Sequence, residues 1–120
     1  MMIALVLKPE ELTCTYGTIP NVPSSTNGSA EVMNFDLPDN LSIDDFYEQF
    51  VDPVDAQCDA LLDYGDVDYL DSGACSALSA WIPSRCSDES LSPWVRDLYN
   101  KLLDYAKKAV ELGTGVVVEL

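Results

Sequence analysis

The side chains with the most chemical potential in this sequence are its carboxylates. Asp44, Glu48, Asp52, Asp55, Asp59, Asp63 and Asp66 recur at intervals of 4, 4, 3, 4, 4 and 3 residues. That spacing places them on one face of a helix. Successive members would stand about 4.5–6 Å apart along the axis, at about 1.5 Å of rise per residue. A DNA strand sets its phosphates about 3.4 Å apart, so the row is sparser but of the same order. Asp36, Asp39, Asp45, Asp68 and Asp71 can supply a second row. No cation relieves either row: 76 residues containing 15 acids separate Lys8 from Arg85 without one Lys or Arg. Like charges at i,i+4 destabilise a helix by roughly 0.2–0.5 kcal/mol per pair. A solvated amphipathic helix can carry carboxylates opposite its apolar face, and a high net charge aids solubility. A base-free run of this length points beyond both, to negative potential as the useful property.

Other chemistries fare worse. The 120 residues include no histidine, which excludes a His general base, a His metal ligand and a Ser-His or Cys-His nucleophile pair. Cys14, Cys58, Cys75 and Cys86 form no C-x-x-C pair, so a zinc site is not expected and free, mostly buried thiols are. A calcium loop opening at Asp66 would need an acid or Asn at position 70, Gly at 71 and Glu at 77. The residues there are Leu70, Asp71 and Ala77. Carboxylate pairs for glycoside chemistry arise by chance among 21 acids, and the chain is short for a cleft enzyme. Gly113-Thr114-Gly115 lacks the P-loop lysine and follows a helix. With 6 bases and a net charge of −15, direct binding of nucleic acid is not expected. The expectation is a non-enzymatic protein without cofactor or metal, whose partner is a basic nucleic-acid-binding protein. Tyr64 and Tyr69 interleave with the carboxylates, and aromatic anchors inside a charged rim are what protein interfaces use. The predicted partner-binding set is Asp44, Glu48, Asp52, Asp55, Asp59, Asp63, Tyr64, Asp66, Asp68, Tyr69 and Asp71.

The elements that must position these residues follow from periodicity. A chain of 13.1 kDa can bury roughly two thirds of its unfolded surface, which suits one domain over residues 1–120. Residues 2–7 are continuously apolar and predict a strand buried on both faces. Residues 12–17 and 31–37 predict further strands, and the Pro-, Ser- and Asn-rich stretch 18–30 predicts a loop. Ser42 is a candidate N-cap for a helix carrying Ile43, Phe46, Tyr47, Phe50 and Val51. Asp52-Pro53 should restart that helix, Val54, Cys58, Leu61 and Leu62 should continue its apolar face, and Gly65 should end it. Residues 63–71 read as a loop, 73–82 as a short helix closed by Pro83, and 84–91 as irregular. Ser92-Pro93 opens a long helix with Val95, Leu98, Leu102, Ala106, Ala109 and Leu112 inward, and Asp97–Lys101 and Asp104–Lys108 paired at i,i+4. Gly115 to Leu120 reads as a last buried strand. The expected fold is α+β: a small sheet of N-terminal strands and a C-terminal strand, packed against about four helices.

The segment 36–71 resembles the small acidic inhibitors of phages and mobile elements, the anti-CRISPR and antirestriction proteins that mimic nucleic acid. The resemblance rests on the charge pattern from Asp36 to Asp71 and covers about a third of the chain. It implies a protein that occupies the DNA- or RNA-binding groove of a bacterial CRISPR effector or restriction enzyme. The layout of Lys101 to Leu120, helix then strand, resembles barstar-like inhibitors. That likeness implies the alternative, an immunity protein or antitoxin for a basic nuclease toxin. No basic n-region precedes the short apolar run at residues 2–7 and no stretch approaches a membrane span, so a cytoplasmic location is expected. Asn27-Gly28-Ser29 and Asn40-Leu41-Ser42 are then chance matches to a glycosylation acceptor. The half-apolar helices leave room for a homodimer.

Overall fold

The computed structural model describes residues 1–7, 15–16, 19–20 and 30–120, with the side chains of 15–16, 19–20 and 30 left aside. Its framework is a four-stranded antiparallel sheet of order β4-β1-β6-β5, from β1 (Met2–Val6), β4 (Ala30–Asn34), β5 (Val67–Leu70) and β6 (Val116–Glu119). The apolar runs occupy the two central positions. All five residues of β1 are buried, because alternate residues point to opposite faces and both faces are covered. Ile3, Leu5, Val116, Val118 and Leu120 join the main core with the helices, while Met2, Ala4, Val6 and Val117 form a second cluster on the opposite face. Thr114, fully buried, donates its hydroxyl to the Val6 carbonyl at 2.6 Å and so ties β6 to the end of β1. A two-stranded antiparallel pair, β2 (Thr15–Tyr16) with β3 (Ile19–Pro20), stands as a separate sheet. The rest of the expected strand 12–17 and most of the expected loop 18–30 lie outside the described residues.

The helical part comprises α1 (Ile43–Phe46), a π-helical turn (Tyr47–Val51), α2 (Asp52–Cys58), α3 (Ser72–Cys86) and α4 (Pro93–Leu112). The first three form one continuous rod, so three helices stand where about four were expected. Ser42 caps it as predicted: its hydroxyl accepts from the Asp45 N–H at 3.1 Å, and the Asp45 carboxylate accepts from the Ser42 N–H at 3.4 Å. The α-helical hydrogen bonding restarts at Asp52 with Pro53 in its first turn, as expected, but the backbone stays helical through Val51 and Asp52 is not the cap. Pro53 cannot donate to the Gln49 carbonyl, and that carbonyl accepts instead from the Tyr99 hydroxyl at 2.7 Å and from Arg85 Nη2 at 3.1 Å. Gln49 Oε1 also accepts the Ser92 N–H at 2.9 Å. The π turn thus locks the rod to both later helices. Burial pushes the Tyr99 hydroxyl up to about 12, against the opposing pull of Arg85.

Three other boundaries differ from expectation. The rod ends at Cys58, where Asp59 takes a left-handed conformation at φ 54°, and not at Gly65. Residues 67–70 form an edge strand, not a loop, and Gly65 (φ 87°) serves the turn before it. α3 runs through Pro83 to Cys86. A proline one turn from a helix end removes a single bond, and Arg85 holds that end against Gln49 and Asp88. α4 matches its predicted span, with Pro93 at its first position and Gly113 (φ 68°) as its left-handed stop. Val95, Leu98, Leu102, Ala106 and Ala109 are buried as expected, but Leu112 is 40% exposed. The ring contacts Phe35–Trp94, Trp94–Phe46, Phe46–Phe50, Phe50–Tyr99 and Tyr99–Trp81, with centroids 5.0–6.0 Å apart, make an aromatic seam through the core. No helix among the described residues is long and apolar enough to cross a membrane.

Candidate partner-binding surface

The carboxylate row is not one helical face. Asp44, Glu48 and Asp52 are exposed along the rod, which ends before the row does. Beyond Asp59 the chain turns back toward the sheet. The Asp55 carboxylate accepts the Leu62 N–H at 2.9 Å and anchors that return. Asp63 accepts from the Tyr47 hydroxyl at 2.5 Å and from the Tyr64 N–H at 2.9 Å, and the Tyr47 oxygen also accepts the Tyr64 N–H at 2.8 Å. The hydrogen bond to Asp63 holds the Tyr47 hydroxyl above its ordinary range. Asp68 follows on β5, on the helix-covered side of the sheet with Leu70.

Asp55 feels the charges of Asp52, Asp63 and Asp68, and Asp68 feels those of Asp63 and Asp66, so the fold sets these carboxylates in one neighbourhood. Desolvation first, then the charges of Asp52, Asp68 and Asp63, raise the Asp55 carboxyl above the usual range. Desolvation, then the charge of Asp66, raise Asp68 likewise, against a hydrogen bond from the Asp63 backbone that favours its charged form. Oδ2 of Asp68 is shut from solvent and has no hydrogen-bond partner. Asp59 sits where the partial negative end of the helix dipole disfavours it. Burial, then the charges of Asp55, Asp71 and Asp59, push the Cys58 thiol up to about 11. Asp71 is committed to capping α3 through the Ala74 N–H at 2.8 Å.

Tyr64 is 61% exposed and stands beside Asp63, whose carboxylate accepts its N–H. Tyr69 does not stand with it. It lies on the other side of β5, part-buried, with its ring over Gly115, where a Cβ would collide with the ring and with the Leu70 carbonyl. Sequence reading missed Leu61. Apolar spacing put it inside, yet it is 85% exposed because the helix ends three residues earlier. The αL-prone Asp59 and the flanking acids were the signal for that stop. Leu61, Tyr64 and Val67 (41% exposed) give the acidic surface an apolar content.

Among the described residues no group of three or more Cys, Asp or Glu side chains is arranged to hold a metal ion. Arg85 and Arg96 are engaged elsewhere, Arg85 on Gln49 and Asp88 and Arg96 on the Cys86 and Asp88 carbonyls. Cys58, Cys75 and Cys86 are free thiols, and Cys14 lies outside the described residues. Comparison with known proteins found no matching family model, no matching curated protein and no matching solved structure.

Proposed function

We propose that this protein is a non-enzymatic inhibitor whose acidic surface occupies the DNA- or RNA-binding groove of a bacterial defence nuclease complex, as anti-CRISPR and antirestriction proteins do. The observation that carries this reading is the gathering of Asp52, Asp55, Asp63, Asp66 and Asp68 from three separate segments, with two carboxyls partly desolvated and no described cation among them. Negative potential of this density speeds encounter with a basic groove, and the association weakens as salt rises. Leu61 and Tyr64 supply the desolvated contact that distinguishes one basic groove from another.

The test compares capture from a bacterial lysate by the wild-type protein and by the Asp52→Asn, Asp63→Asn, Asp66→Asn variant, with Asp55 kept for its backbone bond. The reading expects a basic nucleic-acid-binding protein on the wild type and its loss from the folded variant. Equal capture by both would refute it. Capture of a nuclease toxin in place of a defence complex would assign the same surface to an immunity protein.

A further inference from the structure

We infer that the outer face of α4, with the groove beside it, is a two-fold interface for a second copy of this chain. Asp97, Lys101, Asp104 and Lys108 form an alternating stripe of exposed charges along α4. Sequence spacing pairs them within the helix, yet the described residues contain no ion pair between Asp97 and Lys101 or between Asp104 and Lys108. Lys108 turns to Glu31 instead, at 3.4 Å. The stripe is self-complementary when reversed. An antiparallel second copy centred between Leu102 and Leu103 sets Asp97 against the second copy's Lys108 and Lys101 against its Asp104.

The apolar residues obey the same symmetry. Beside the stripe, Met33, Phe35, Trp94 and Leu98 line a groove of about 240 Å³, with Asp97 and Lys101 at its rim. Leu112, 40% exposed, lies on the same side of the helix four residues beyond Lys108. At about 1.5 Å per residue, Leu112 is about 14 Å from the centre of symmetry and Trp94 about 13 Å on the other side. The register that matches the charges therefore seats the second copy's Leu112 at the groove beside Trp94, and the reverse contact follows by symmetry. The charge distribution also favours this face. Chains of net charge −15 repel, but α4 carries four bases and three acids. Asp63 and Asp66 lead into β5 and Asp68 lies on it, at the opposite edge of the sheet from β4, so the dimer leaves them uncovered. This inference does not rest on the inhibitor reading.

Sedimentation equilibrium at low salt decides it. The wild type should show twice 13.1 kDa. Lys101→Glu and Asp104→Lys should each reduce the mass to that of one chain, because each sets like charges across the axis. An equimolar mixture of these two variants should restore the doubled mass, because every introduced charge then meets its opposite. Circular dichroism checks that both variants remain folded, and Leu112→Asp gives an independent loss of the dimer. A wild type that sediments as one chain, variants that stay dimeric, or a mixture that stays monomeric would each overturn the inference.

Discussion

Replacing Asp68 by Asn should make the protein more stable. Oδ2 of Asp68 is cut off from solvent without a partner, and Asp66 and Asp63 repel its charge. A buried polar atom left unsatisfied costs about 1–3 kcal/mol, and the partial exposure of this side chain puts it at the low end. Each like-charge neighbour adds roughly 0.2–0.5 kcal/mol, by analogy with helical pairs. Asn keeps the shape, removes the charge and retains an oxygen to accept from the Asp63 backbone. The expected gain is about 1 kcal/mol at neutral pH, or a rise in Tm of about 3–6 °C. Urea unfolding should show a higher midpoint with an unchanged slope. The pH dependence supplies a second check. The Asp68 carboxyl is raised above 3.8 in the folded chain, so the native state binds its proton more readily than the unfolded state. Wild-type stability from this group is therefore present below 3.8 and is lost as pH rises through the raised value. The advantage of the variant should shrink as pH falls from neutral toward 3.8. Asp44→Asn, on the exposed side of α1, should stay within about 0.5 kcal/mol of wild type. A less stable Asp68→Asn protein, or a gain independent of pH, would refute the reasoning.

Gly115→Ala drives a Cβ into the Leu70 carbonyl and the Tyr69 ring, and should lower stability by about 1–3 kcal/mol in thermal or urea melts. Tyr99→Phe removes one of the two donors to the Gln49 carbonyl; with Arg85 still in place the loss should be about 1 kcal/mol. Burial holds Cys58 at about 11 and Cys75 at about 12, so a thiol reagent at neutral pH should modify neither until denaturant is added, as mass spectrometry would record.

Elements with unambiguous local chemistry were legible in the sequence. The unbroken apolar runs at both ends became the two central strands, because only a doubly covered strand wants apolar residues on both faces. Ser42 and Ser92-Pro93 marked true helix starts, and Gly113 a true stop. What failed was decided by tertiary contacts. Asp52-Pro53 did open a new α-helical segment, but the π turn that joins it to α1 was not legible from local rules. Tyr99, 46 residues on, takes over the carbonyl that Pro53 leaves free. Val67–Leu70 looked like a loop because Asp68 and the flanking Asp66 and Asp71 outweighed the alternation of Val, Tyr and Leu, and an edge strand tolerates such residues. The same error affected the site. An uninterrupted period of three to four predicted one long carboxylate stripe. The structure instead distributes the carboxylates over the rod, the return segment and β5, and exposes Leu61 in place of Tyr69.

The central claim is that the acidic surface stands in for nucleic acid. Its most direct test is displacement. The complex captured from lysate is challenged at constant ionic strength, about 0.1 M salt, with duplex DNA and separately with RNA. One of them should release the partner, and raising salt alone should weaken the complex steeply. A partner that stays bound through both would contradict the account and leave the carboxylates as solvated surface.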